Sequence, residues 1–77
     1  MAEKKKGKPK EVTLLANRIK QLRKRTHTSY EIFAYENSIT SSQYGRYERG
    51  EDIRFSSLIK LCKAFGVSLE DFFSEGF

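Results

Sequence analysis

A chain of 77 residues holds at most one domain with a modest core, which leaves little room for a deep catalytic pocket. A single cysteine, Cys62, excludes an internal disulfide framework, and the absence of a long apolar run argues against a secretory signal or a membrane span, so a cytoplasmic protein is expected. The net charge of +5 favours an acidic partner such as nucleic acid, yet it is unevenly placed: residues 1–10 carry five lysines against one glutamate, and residues 11–77 carry ten Lys/Arg against nine Asp/Glu.

Residues 1–10 have nothing to bury and read as a disordered basic tail, either solubilising or adding phosphate contacts. Residues 11–77 read as the folded domain. In the first predicted helix, Glu11–Arg25, Leu15, Ile19 and Leu22 recur on one face. Arg18, Lys20, Arg23, Lys24 and Arg25 fill the other faces and suit the C-terminal end of the helix dipole. Ser29 reads as the cap of a short second helix, Tyr30 to Glu36, with Ala34 small enough for close backbone approach. Asn37-Ser38 signals a turn.

Thr40 caps a third helix, Ser41–Arg49, stopped by Gly50. Ser56 or Ser57 is expected to open a fourth, Leu58–Phe65, ended by Gly66. Ser68 caps a fifth, Leu69–Ser74, with Glu70 and Asp71 well placed in its first turn. No period-2 run suggests a strand. The expected fold is therefore all-α, a compact five-helix bundle.

The second and third helices, both short and joined by three or four residues, must cross at a large angle, as in a helix-turn-helix. Tyr44 and Tyr47, with Ile39 from the turn, form the expected inward side of the third helix. Ser41, Ser42, Gly45, Arg46 and Arg49 are left outward. A helix with small polar and basic residues outside suits the DNA major groove, about 12 Å wide, where an arginine such as Arg46 can pair bidentately with guanine. Gly45 weakens a helix by up to about 1 kcal/mol relative to alanine and so asks for a reason, such as closer approach to the bases.

The ordered segments RIKQLRK (18–24), SYEIFA (29–34), ITSSQYGRYERG (39–50) and LIKLCKAFGVSLEDFF (58–73) resemble the phage-repressor or Cro-like (XRE) helix-turn-helix family. The resemblance implies a lambda-repressor-like bundle, double-stranded DNA as partner, and action as a transcriptional regulator, expected to be a repressor. It places Ser41, Ser42, Gly45 and Arg46 at base-reading positions. Outer or phosphate contacts are expected from Ser29, Tyr30, Thr40, Gln43, Arg49 and Lys24. Arg23 and Glu48 match a family pair that forms a partly buried salt bridge. Ser38 departs from the pattern, standing where the family favours a glycine with φ > 0. Tyr44 and Tyr47 replace the usual aliphatic core residues, and one of their hydroxyls is a candidate for reaching the DNA backbone.

Several features are read more plainly. His27 is a lone surface imidazole, and Cys62 lies on an apolar helix face as a packing residue. No His/Cys/Asp/Glu cluster has metal-ligand spacing, and neither a cofactor nor an enzymatic activity is expected. Phe72, Phe73 and Phe77 exceed what a small core needs. They leave open a homodimer or a protein partner, and with it the alternative of an antitoxin or adaptor on the same fold.

Overall fold

The computed structural model describes residues 9–26 and 28–77, so the lysines of the predicted tail up to position 8, and His27, lie outside the described residues. Five helices follow in order: α1 (Lys10–Lys24), α2 (Tyr30–Glu36), α3 (Ser41–Glu48), α4 (Phe55–Phe65) and α5 (Leu69–Phe72). Among the described residues there is no strand. α1 begins at Lys10, inside the span read as tail, because Pro9 has the extended backbone of a helix-capping residue and its carbonyl accepts from Val12 N at 3.0 Å.

The core gathers Ile19 and Leu22 from α1, Phe33 and Ala34 from α2, and Tyr44 and Tyr47 from α3. Leu58, Leu61 and Cys62 of α4 and Phe72 of α5 complete it. Phe33 is its aromatic centre, with ring centroids 5.2 Å from Tyr44 and 4.9 Å from Phe65. α3 packs on both α2 and α1, so its position is set by two neighbours at once. Burial of the Cys62 thiol pushes its pKa up, which keeps it an unreactive core group.

Local signals fix most helix ends. The hydroxyls of Ser29, Thr40 and Ser68 accept from Ile32 N, Gln43 N and Asp71 N at 3.3, 3.1 and 3.0 Å. Gly50 and Gly66 take positive φ just past α3 and at the end of α4, where a left-handed residue lets the last carbonyls be satisfied. α4 differs from expectation: it starts at Phe55, one turn early, with Arg54 as cap and no side-chain capping bond. Its start is set instead by apolar packing. Ile53 and Leu58 stand immediately before the cap and at the fourth helical position, the two ends of a hydrophobic staple, and both join the core. Ile39 with Tyr44, and Val67 with Phe72, occupy the same two positions at α3 and α5.

Arg18 also departs from expectation. Expected on the faces of α1 away from Leu15, Ile19 and Leu22, it is 3% exposed. Residue 18 lies three after Leu15 and four before Leu22, on the core side of α1. Its guanidinium donates to the carbonyls of Phe72 (2.7 Å) and Asp71 (2.8 Å), which the short α5 leaves open at its end, and to Gln21 Oε1 (2.7 Å) and Glu75 Oε1 (3.0 Å). Its carbon also lies 5.8 Å from the Phe72 ring centroid. Bonding to Arg25 and the charge of Arg18 hold the exposed Glu75 carboxyl below the usual carboxylate range. Its contribution is therefore present at neutral pH and fades as pH falls through that lowered value.

The α2–α3 turn closes with Ile39 N bonding Ala34 O (2.9 Å) and Ser38 N bonding Tyr35 O (3.2 Å). Asn37 Nδ2 also donates to Phe33 O at 2.8 Å. This geometry requires a left-handed residue, and Ser38 supplies it at φ 59°. Ser38→Gly should relieve that strain and stabilise the fold by roughly 0.5–1 kcal/mol, net of the extra freedom glycine gives the unfolded chain. Urea unfolding followed by helical circular dichroism measures it; a loss of stability would show that the serine side chain matters more than the backbone.

Candidate nucleic-acid interface

α3 divides sharply. Tyr44, Gly45 and Tyr47 are buried, Glu48 is half-buried, and Ser41, Ser42, Gln43 and Arg46 are exposed, as is Arg49 at its C-cap. The exposed set contains no large apolar side chain. Thr40 caps the helix, and its hydroxyl hydrogen stays available to an acceptor while the oxygen holds Gln43 N. Ser29 has the same arrangement at α2. Gln43 is turned partly along the helix, with Nε2 donating to Tyr47 Oη at 3.0 Å. Tyr30 is 36% exposed at the start of α2, and Lys24 is exposed in the last turn of α1.

Gly45 is a correction. Expected outward among the base-reading positions, it is buried, with Tyr30 and Arg49 lying over it. Position 45 falls on the side of α3 that abuts the start of α2, so the helix buries it although Ser41 and Ser42, one turn before, are free. Of the two tyrosine hydroxyls, that of Tyr44 is wholly buried, which is a second correction, whereas that of Tyr47 accepts from Gln43 Nε2, keeps its own hydrogen and borders a surface groove beside α3.

What holds this face in place is a forked ion pair. Arg23 Nε donates to Glu48 Oε2 at 2.7 Å and Nη2 to Glu48 Oε1 at 3.0 Å, while Nη1 donates to Thr28 O at 2.9 Å. One side chain thus joins the end of α1, the approach to α2 and the last turn of α3. The side chains are 12% and 10% exposed. The hydrogen bond to Glu48 raises the Arg23 pKa against the opposing effect of desolvation, so the guanidinium stays charged. The Tyr44 hydroxyl is buried without a hydrogen-bond partner among the described residues. Burial first, and the Glu48 carboxylate second, push its pKa far up, so it stays neutral.

Two clefts border α3. Lys20, Arg23, Tyr30, Gly45, Glu48 and Arg49 line one. On the other side a groove runs toward α4 past Thr40, Gln43, Tyr47, Ser57 and Lys60, with Arg54 beside it. On sequence grounds Lys20, with Lys24 and Arg25, reads either as solvated helix face or, if this end of α1 faces DNA, as a phosphate contact. Ser57, Lys60 and Arg54 carry no sequence signal for this role, since only the packing of α4 brings them beside α3. No group of three or more metal-ligating side chains occurs among the described residues, and no helix there is long and apolar enough to cross a membrane.

A helical bundle in which two short helices, α2 and α3, are packed together across a tight turn and the second of them presents a polar face with exposed arginines defines a helix-turn-helix protein. A helix-turn-helix family model matches residues 19–72, and the chain belongs to that family, the XRE or Cro-like group of DNA-binding transcription regulators. No curated protein and no solved structure gives a significant match.

Removing one partner of the forked pair strands the other charge. Arg23→Ala should cost roughly 3–5 kcal/mol, a large part of the stability open to so short a chain. Replacing both partners with apolar residues, Arg23→Met with Glu48→Leu, should recover most of the loss. Chemical denaturation of the three proteins checks this. A single-variant loss under about 1 kcal/mol would mean that the pair behaves as an exposed one.

Proposed function

We propose that this protein binds a specific double-stranded DNA sequence by inserting α3 into the major groove, and that it represses transcription by occupying promoter DNA. The observation that carries the reading is the exposed face of Ser41, Ser42 and Arg46, free of bulky apolar groups and held rigid by the Arg23–Glu48 pair. Arg46 reads guanine by its fork of donors, and the two serines bond base edges at the amino end of the helix. Ser29, Tyr30, Thr40, Gln43, Arg49 and Lys24 contact phosphates or outer bases and set the register. Gly45 touches no base and serves the geometry around it. The protein works in the cytoplasm and carries out no catalysis.

A twofold dimer through the C-terminal aromatics completes this reading. Phe73 and Phe77 are 45% and 50% exposed and border an apolar cleft with Val12, Leu15 and Leu58. Such a dimer sets two recognition helices about 34–36 Å apart, one turn of DNA. The same exposed aromatics favour, as the second reading, an antitoxin or adaptor in which they receive another protein.

Fluorescence anisotropy on a duplex enriched from a random pool, and on random duplex, tests the proposal. Arg46→Ala should lose about 1–3 kcal/mol on the enriched duplex and little on random DNA. Lys24→Ala should weaken both alike and lower the salt slope by about one. Equal losses from both variants on both duplexes would remove direct base readout. In sedimentation equilibrium Phe73→Glu should be monomeric where the parent protein dimerises; a parent that stays monomeric on DNA as well would remove the dimer.

A further inference from the structure

Gly45 buries no side chain, yet its site is crowded. A β-carbon placed there would lie 2.9 Å from Arg49 Nη1 and 3.5 Å from Tyr30 Cε1. Real β-carbons do not approach heavy atoms at 2.9 Å. The Arg49 guanidinium therefore occupies space that a side chain at position 45 would claim. The crowded atom is the far end of a flexible side chain, so a substitution displaces Arg49 before it disturbs the backbone. The ordinary contact with the Tyr30 ring forms the second wall of the same niche.

The cleft beside this niche is lined by three cations against the single carboxylate of Glu48. That carboxylate is taken up by Arg23 in the forked pair. Lys20 from α1 and Arg49 from α3 remain, and neither forms an ion pair among the described residues. Tyr30, from the first position of α2, adds a hydroxyl donor. Two like charges, one on α1 and one at the C-cap of α3, thus share one cleft with no ion-pair partner among the described residues. The combination of a planar arginine fork, a lysine point charge and a phenol O–H suits the oxygens of a phosphate.

We propose that Lys20, Tyr30 and Arg49 form a clasp for one phosphate of the DNA backbone, and that Gly45 is the positioning residue that seats Arg49 in it. This rests on the DNA-binding reading above and deepens it. It explains why the middle of a recognition helix carries the poorest helix former short of proline: the missing side chain serves the arginine one turn on, not the bases. A free phosphate ion would offer the same oxygens, so the test must separate the two sources.

Gly45→Ala keeps every charge and is the decisive variant. Anisotropy is measured with the full chain on enriched and random duplexes across a salt series. Affinity should fall about tenfold on both duplexes alike, with the salt slope smaller by about one. Arg49→Ala should behave the same way, and the double variant should be no weaker than Arg49→Ala alone. Thermal melting of Gly45→Ala should not drop, because alanine favours the helix. If that variant melts early, the exposed positions carry the test through Lys20→Ala and Arg49→Ala, which should each give the uniform loss. Wild-type affinity and slope in a stable Gly45→Ala protein would overturn the positioning role. Wild-type slopes in both Lys20→Ala and Arg49→Ala would overturn the clasp. Calorimetric binding of inorganic phosphate that Arg49→Ala abolishes, with DNA affinity unchanged, would assign the cleft to a small anion and overturn the DNA clasp. Failure of the wild-type protein to bind any duplex would bring down the DNA-binding reading itself, an outcome distinct from all of these.

Discussion

The guanidinium of Arg23, forked onto Glu48 and bonded to the carbonyl of Thr28, sets where α3 lies relative to α1 and α2. An ion pair this little exposed recovers only part of the cost of removing its charges from water, so its value lies less in net stability than in uniqueness of arrangement. Apolar contacts at Tyr44 and Tyr47 tolerate small slides of a helix; two short charge-assisted bonds with a fixed fork do not. Close by, the Tyr44 hydroxyl is buried with no hydrogen-bond partner among the described residues, a local cost that the ring offsets by packing on Phe33. A surface meant to meet a rigid partner needs such fixing, since an angular error at the base of α3 becomes a displacement of its exposed groups.

The rest of the molecule economises around that requirement. A small chain cannot spend many residues on connections, and α3, α4 and α5 each begin where an apolar residue before the cap and another at the fourth helical position both enter the core. The same few side chains therefore start the helices and fill the centre. Arg18 does the corresponding work at the end of the chain, where its donors meet carbonyls that a helix of one turn cannot satisfy. In this way the C-terminal aromatics are held over α1 while Phe73 and Phe77 keep half their surface outside.

Much of this was legible beforehand, for identifiable reasons. The spacing of Leu15, Ile19 and Leu22, the caps at Ser29, Thr40 and Ser68, and the stops at Gly50 and Gly66 are local signals, and local signals survive folding. The pairing of Arg23 with Glu48 came from family resemblance; 25 residues of separation carry no pattern that periodicity can detect. Arg18 escapes a reading by residue type, because a charged side chain shares the apolar face of α1 and finds its partners in the carbonyls of α5. The start of α4 is not marked by Ser56 or Ser57, because an apolar staple rather than a capping hydroxyl governs it. Gly45 shares a stretch with exposed residues, which suggests an outward position, but the ring of Tyr30, from another helix, covers it. In each miss a tertiary contact overrides a local rule.

The claim that α3 reads guanine in the major groove is open to one direct measurement: interference by methylation, on the duplex enriched from a random pool. Methylation at guanine N7 alters the major groove, whereas methylation at adenine N3 alters the minor groove. Guanine N7 methylation at one position in each half-site should block the wild-type protein and cost nothing further in Arg46→Ala. Interference confined to adenine N3, or guanine interference that persists unchanged in Arg46→Ala, would contradict the account and move recognition away from this face of α3.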